Sequence, residues 1–575
     1  MLEAIYERYE GDRKTEEFQQ FTTYLKRVWF ANGIHHHYGC DKFHPGFSED
    51  YIRSTLKSIG YPVNEELLTV IFDPDVLPKR VNQAQGEDLL QTSACNYYAP
   101  EVTQQMAEDF YARMKDPADP HPVMYGMNSR LELHDGQLQE QVWKSGGMYG
   151  TAIDRIVYWL GMAEEEAENE RQRSVIRTLI EFYRTGDLRT FDRYTIEWVN
   201  CTEGEIDFTN GFTEVYGDPL GLKASWEGYV NFKDHKATER TEKLSQNAQW
   251  FEDNSPMAPQ FKKKVCRGVS AKVIEAVMLG GDLYPSSAIG INLPNSNWVR
   301  QEHGSKSVTI GNLTHAYNEA AKGSGMRQEF VIDEATRKLL DNYEDVCDDL
   351  HTDLHECLGH GSGQLLPGVD PDALKAYGST IEEARADLFG LYYLADEKLV
   401  ELGLTPNAEA YKSQYYSYMM NGLMTQLVRI EPGKDIEEAH MRNRALIAHW
   451  CMEHSQGNME LTQRDGRTYL RITDYPLLRQ LIGELLAEVQ RIKSEGDLKA
   501  AEKLVERYGI KVDPTLHREV LDRYHKLNLA PYKGFINPEI LPVYDSKGRL
   551  LDATLRYGET YDHQMLRYSK EYATL

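Results

Sequence analysis

The spacing of apolar and polar residues divides the chain into three stretches. In the first third the periods are mixed. Residues 129–143, SRLELHDGQLQEQVW, alternate on either side of Asp135-Gly136 and predict a hairpin. Residues 156–184, IVYWLGMAEEEAENERQRSVIRTLIEFYR, repeat at helical spacing between charged positions and predict a charged amphipathic helix. Residues 205–221, EIDFTNGFTEVYGDPLG, alternate again and then reach a turn at Asp218-Pro219, which predicts a β segment. From about Glu334 to Ile510 the pattern is mainly helical. SEGDLKAAEKLVERYG there reads as helix, turn, helix, with Gly509 as a stop. The last stretch, ILPVYDSKGRLLDATLRY, returns to hairpin patterning around Lys547-Gly548. A mixed start, a helical middle and a β-like end predict an α+β protein of two lobes whose tail rejoins the first.

Residues 353–364, DLHECLGHGSGQ, interrupt this pattern with chemistry. His355 and His360 are five residues apart, one more than the spacing that puts two side chains on one helical face. They reach one ion only if the helix widens locally, as a π-bulge does. Gly359, Gly361 and Gly363 make an irregular exit easy to adopt. A catalytic zinc needs three protein ligands. The next helical pattern, GSTIEEARADLFGLYYLADEKLVELGLTP, supplies Glu382 and Glu383, which lie 22 and 23 residues after His360. One of them can ligate while the other supports a histidine, and Asp387 shares a face with Glu383. Each piece has a plainer reading. Ser379-x-x-Glu382 is a capping box, and a lone histidine is usually a packed or surface residue. Taken together, the pieces favour a metal site. Glu356, beside His355, is then placed to take a proton from water acidified by the metal to a pKa of ~7 and to pass it to a leaving amine. That is amide hydrolysis.

Bulk properties narrow the class. A net charge of −26 disfavours nucleic acid and anionic membrane as partners. Seven scattered cysteines without a C-x-x-C pair fit neither a disulfide framework nor a thiolate zinc site, and suggest a reducing compartment. No apolar run reaches the ~18 residues of a membrane span, and no secretory signal is visible, so a cytoplasmic location is expected unless a signal segment was removed. No G-x-S-x-G occurs, which disfavours a serine hydrolase. The run ANGIHHHYGCDKFHP holds His35, His36, His37 and His44. It reads as ordinary packing or a polar wall, with a second metal as the rarer alternative.

HECLGH followed by EEARAD resembles the paired signatures of the dipeptidyl peptidase III family of zinc exopeptidases, in its compact bacterial form. GFTEVYGDPLGLKASWEGYV, GINLPNSNWVRQ and EEAHMRNRA extend the resemblance over roughly residues 200 to 450. It implies one zinc per chain held by His355, His360 and Glu383, with Glu356 as base and Glu382 and Asp387 orienting the histidines. It also implies that Glu214, Asn292 and Asn295 hold the free amine of a short peptide. Tyr216, expected to face the same way as Glu214 along a strand, would lie near the scissile carbonyl. His440 would steady the tetrahedral intermediate, and Arg444, one turn further on, would bind the substrate. The implied fold is a helical zinc lobe (235–276 with 323–539) and a mixed, substrate-anchoring lobe with a β-barrel core (1–234 with 277–322 and 540–575), separated by a wide cleft. The expected activity is release of dipeptides from an unblocked N-terminus. The alternatives are a zinc endopeptidase, an aminopeptidase, or a zinc-bearing peptide-binding protein without catalysis. A monomer is the expected state, and side-chain preference is not legible.

Overall fold

The computed structural model describes residues 1–37, 40–84, 86–266, 271–284, 289–370, 373–529 and 535–573. It is an α+β protein, about half helix. Two compact units divide the chain. One comprises Met1–Lys233, Glu275–Ser305 and Tyr532–Leu575, and the other Asp234–Ile274 and Lys306–Pro531.

The first unit is mixed. The expected hairpin forms between Ser129–His134 and Gln137–Val142, in register His134 to Gln137. Asp135 and Gly136 both take the positive φ that this tight turn requires. The charged amphipathic stretch forms two helices, Gly150–Glu165 and Glu170–Thr185. Asn169 breaks it by capping the second through the Gln172 N–H. Helix Leu188–Asn200 follows, and its buried face joins Trp143, Phe182, Tyr183 and Phe212 in one core cluster. The predicted β segment is the strand β1 (Ile206–Glu214), which pairs antiparallel with β2 (Ser225–Lys233).

β1 and β2 belong to a five-stranded sheet with β3 (Ala271–Gly281), β4 (Gly290–Leu293) and β5 (Lys306–Ile310), in the order β1-β2-β3-β5-β4. The sheet curls as a half-barrel, where the sequence suggested a barrel. The division between units falls within β3. The tail hairpin forms from Glu539–Tyr544 and Leu550–Arg556.

The second unit is a helical assembly around one large core. Five helices matter for the site: α1 (Glu334–Leu354), α2 (Gly378–Leu394), α3 (Tyr411–Leu423), α4 (Ala439–His454) and α5 (Tyr475–Glu495). Asp333 caps α1, Asp474 caps α5, and Gly496 ends α5 in the left-handed conformation. The α2 pattern ends earlier than its glycine and proline suggested. Leu394 closes it, and Asp396 caps a separate short helix, Glu397–Glu401.

Candidate metal centre

α1 passes without a break into a π turn, His355–Gly359. The His360 N–H donates to the His355 carbonyl at 3.0 Å, the i to i+5 bond that absorbs one extra residue. The two imidazoles face each other at right angles with centroids 4.6 Å apart. Widening the turn needs room, and Gly359 provides it. A Cβ there would lie 2.8 Å from the Ala386 backbone of α2. α1 and α2 therefore touch main chain to side-chain-free main chain at the point where the histidines turn inward.

Each ring is held by its far nitrogen. His355 Nδ1 lies 2.8 Å from Asp387 Oδ1, and His360 Nδ1 lies 2.8 Å from Glu382 Oε1. Both carboxylates therefore direct the Nε2 atoms the other way. There they meet Glu383, whose Oε2 is 3.3 Å from His355 Nε2 and 3.9 Å from His360 Nε2. That oxygen is buried and has no hydrogen-bond partner. Two ligand atoms each ~2.0–2.1 Å from a tetrahedral ion lie roughly 3.3 Å apart. The donor set therefore fits a divalent cation of the zinc kind. A buried carboxylate oxygen without a donor is otherwise costly. A Glu356 oxygen lies in the same cluster, within 4.8 Å of the histidine nitrogens.

The supporting charges are themselves braced. Burial works against the charge of Glu382, yet Arg385, His360 and Lys493 outweigh it and hold the carboxyl well below the usual range. Arg385, almost fully buried, donates to both Glu382 oxygens at 2.6 and 3.0 Å. It also donates to the Gly359 carbonyl at 2.7 Å and to Ser362 Oγ at 2.7 Å. Burial also opposes the charge of Asp387, but His355, His351 and Arg444 hold that carboxyl far below its ordinary value. Tyr418 of α3 and Asn443 of α4 donate to its second oxygen at 2.7 and 2.8 Å. The exit loop is pinned by buried Glu252, which accepts from the Gly363 N–H at 3.0 Å. The capping box suggested for Ser379 and Glu382 does not form. α2 begins at Gly378, which puts Ser379 inside the helix rather than at its cap, and Glu382 is taken by His360, Arg385 and Lys493.

His440 and Arg444 lie one turn apart on α4. His440 Nε2 is 3.6 Å from Glu383 Oε2, and its Nδ1 is 2.6 Å from Glu438. Glu438 raises the His440 pKa against the effect of burial, with a further contribution from Glu383. The same carboxylate caps α4, accepting from the His440 and Met441 backbone N–H groups at 3.0 and 2.9 Å.

The predicted amine-holding residues lie in the mixed unit. Glu214 ends β1, and burial lifts its carboxyl above the ordinary range, with Asn295 and Arg300 partly offsetting this. The Asn295 amide donates to the Thr213 carbonyl at 3.1 Å. The side-chain oxygen of Asn292 is buried without a partner. Tyr216 departs from the expected strand placement. β1 stops at Glu214, and Tyr216 sits in the following turn, 80% exposed. Asp218 causes this by accepting from the Leu222 and Lys223 N–H groups at 2.8 Å, which curls the chain before alternation can continue.

The histidine run is used for packing. His35 contacts the Leu77 carbonyl at 2.9 Å, while His37 stacks on His36 and meets Phe30 edge-on. Tyr38 and Gly39 of that run lie outside the described residues. Among the described residues, the only group of histidine, cysteine and acidic side chains placed to hold a metal is the one at His355, Glu356 and His360. Sequence reading missed Arg385, Tyr418, Glu438, Asn443 and Lys493. Arg385, inside EEARAD, and Glu438 and Asn443, inside EEAHMRNRA, carried a local signal.

The profile of peptidase family M49 matches residues 54–375 and 371–523. Dipeptidyl peptidase 3 of Mus musculus is 24% identical over 576 residues, covering 87% of this chain and 76% of its own. The structure of DPP III from Caldithrix abyssi superposes with a TM-score of 0.64 at 21% identity, over 91% of this chain and 97% of that one. That of dipeptidyl-peptidase III from Corallococcus sp. strain EGB gives 0.58 at 19%, over 91% and 95%. No helix among the described residues is long and apolar enough to cross a membrane. With a family match over most of its length, the chain belongs to peptidase family M49 and is a metallopeptidase.

Proposed function

We propose that the protein is a zinc-dependent exopeptidase that removes dipeptides from the unblocked N-terminus of short peptides. The convergence of His355 Nε2, His360 Nε2 and the partnerless Glu383 Oε2, with a Glu356 oxygen alongside, carries this reading. Zinc held there supplies Lewis acidity, polarising a peptide carbonyl and acidifying a water. Glu356 accepts the proton of the attacking water and delivers it to the leaving amine. Asp387 and Glu382 keep both imidazoles in the tautomer that leaves Nε2 free. His440, whose charge is favoured by Glu438, steadies negative charge developing on the carbonyl oxygen, and Arg444 keeps Asp387 ionised.

In this reading the helical unit cleaves and the mixed unit anchors. Glu214, Asn292 and Asn295 receive the ammonium group, through a carboxylate with little water around it and an amide oxygen that lacks a partner. Tyr216, exposed in its turn, is available to substrate near the scissile bond. Relatives named dipeptidyl peptidase 3 support the dipeptide specificity. The test pairs metal analysis of the purified protein with hydrolysis of one dipeptidyl arylamide in free and N-acetylated forms. About one zinc per chain and cleavage of the free form alone are expected. Equal cleavage of both forms would replace this reading with an endopeptidase, and release of single residues with an aminopeptidase.

A further inference from the structure

The mixed unit holds a cavity that the metal chemistry does not use. It lies between the Leu188–Asn200 helix, β1 and the Leu293–Ser296 segment, and its volume is about 40 Å³. At ~10–15 Å³ for each water-sized group, that is room for three or four. Phe191, Tyr194, Trp198, Phe212, Leu293 and Pro294 make an apolar wall. Among the described residues that line it, Asp192 is the one charged side chain.

Asp192 is out of place there. It is 7% exposed, and its Oδ2 is buried without a hydrogen-bond partner. Burial lifts the carboxyl to about 7, with Arg189 working against the rise and Asp187 and Asp119 adding to it. Arg189 does not answer the charge, because it is paired with Asp119 and the His121 carbonyl. A buried carboxylate oxygen left bare is costly.

The cavity also selects what could answer that oxygen. An anion is repelled, and a neutral apolar molecule leaves Oδ2 bare. A hard metal ion finds one carboxylate where it needs several oxygens. A small organic cation meets both demands. Its ammonium pairs with Asp192, while its carbons lie on the apolar wall and its charge on aromatic faces.

We infer that this cavity binds a short alkylammonium group, held at Asp192. Asn295 belongs both to the cavity and to the end of β1. It lines the wall, donates to the Thr213 carbonyl at 3.1 Å and favours the charge of Glu214. The bound cation therefore lies one residue away from the proposed amine anchor but uses a different carboxylate. A free amine and the lysine side chain of a peptide both carry such a group. The inference does not depend on the proposed activity.

The test is calorimetric titration of the full-length protein at about pH 8, where the Asp192 carboxyl is ionised. The probes are n-propylammonium chloride and Nα-acetyl-lysine amide, whose only cation is its side chain. We expect at least one probe to bind, ~10-fold or more weakly to Asp192→Asn, with that Asp192-dependent binding unchanged in Glu214→Gln. Binding of propylammonium alone gives the site to free amines, and binding of the lysine probe gives it to a peptide side chain. Asp192→Asn keeps the shape and removes a buried charge, so without amine it should melt no lower than wild type. A lower melting point would mean that Oδ2 has a partner within the fold, which overturns the inference. Failure of both probes to bind overturns it too. So does binding that Asp192→Asn leaves intact, and if Glu214→Gln then removes it, the amine sits at the end of β1 instead.

Discussion

The π turn at His355–Gly359 and the end of β1 place polar groups in opposite ways. Around His355 and His360 nearly every far-side group is paired: Asp387 by Tyr418 and Asn443, Glu382 by Arg385 and Lys493, the exit loop by Glu252. Glu383 Oε2 and, behind Asp387, Asn443 Oδ1 are left over. Around Glu214 the supports are fewer: Asn295 and Arg300 partly offset its burial, and Asn292 keeps a bare oxygen. A small ion with short, directional bonds rewards a rigid, pre-aligned cage, whereas a peptide end brings its own donors and completes a looser site.

Replacing the residue that belongs to neither scaffold breaks the contrast hardest. Glu356→Gln should lower kcat by roughly 10²–10⁴, the range of a general base, while bound zinc measured by atomic emission stays at wild-type content. Loss of the metal as well would make Glu356 a ligand. On the looser side, Glu214→Gln removes one charge-assisted contact of ~1.5–3 kcal/mol, so kcat/KM on free dipeptidyl substrates should fall about 10- to 150-fold. The same site sets a pH limb. The ammonium binds the carboxylate form, and burial raises the pKa of Glu214, so KM should climb as pH falls through a value above the ordinary glutamate range. That limb should vanish in Glu214→Gln, and its persistence would assign it elsewhere.

On the rigid side, Asp387→Ala should weaken zinc binding ~10- to 100-fold in a chelator competition, as loss of a histidine's outer partner does. An unchanged affinity would mean that packing alone aims His355. Gly359→Ala should cost ~1–3 kcal/mol in thermal or urea unfolding, because its Cβ meets Ala386 backbone that cannot move aside cheaply. Stability equal to wild type would show that the two helices have slack.

The widened turn was legible because the five-residue spacing of His355 and His360 itself demanded it, and the proposed ligands sit in two short runs. Its braces were not. Lys493 lies more than a hundred residues after His360, and Tyr418 sits on a third helix outside both runs. The capping-box reading of Ser379 and Glu382 failed for a physical reason. The helix already starts at Gly378, so Ser379 lies inside it and cannot cap it, and Glu382 turns instead to His360, Arg385 and Lys493. Likewise the alternation of β1 ran on past Glu214 on paper, while Asp218 ended the strand from downstream. Hairpins read well because paired positive-φ residues such as Asp135-Gly136 act locally. The break at Asn169 was missed because its flanks share one helical period.

Glu438 starts a helix and grips a ring with one carboxylate. The starting point of α4 and the orientation of the His440 ring are therefore not separable traits. Fraying at that helix tip would release the imidazole to spin, so loss of order in the first turn and loss of aim at Glu383 would arrive together, as a single melting event at the working end of the enzyme.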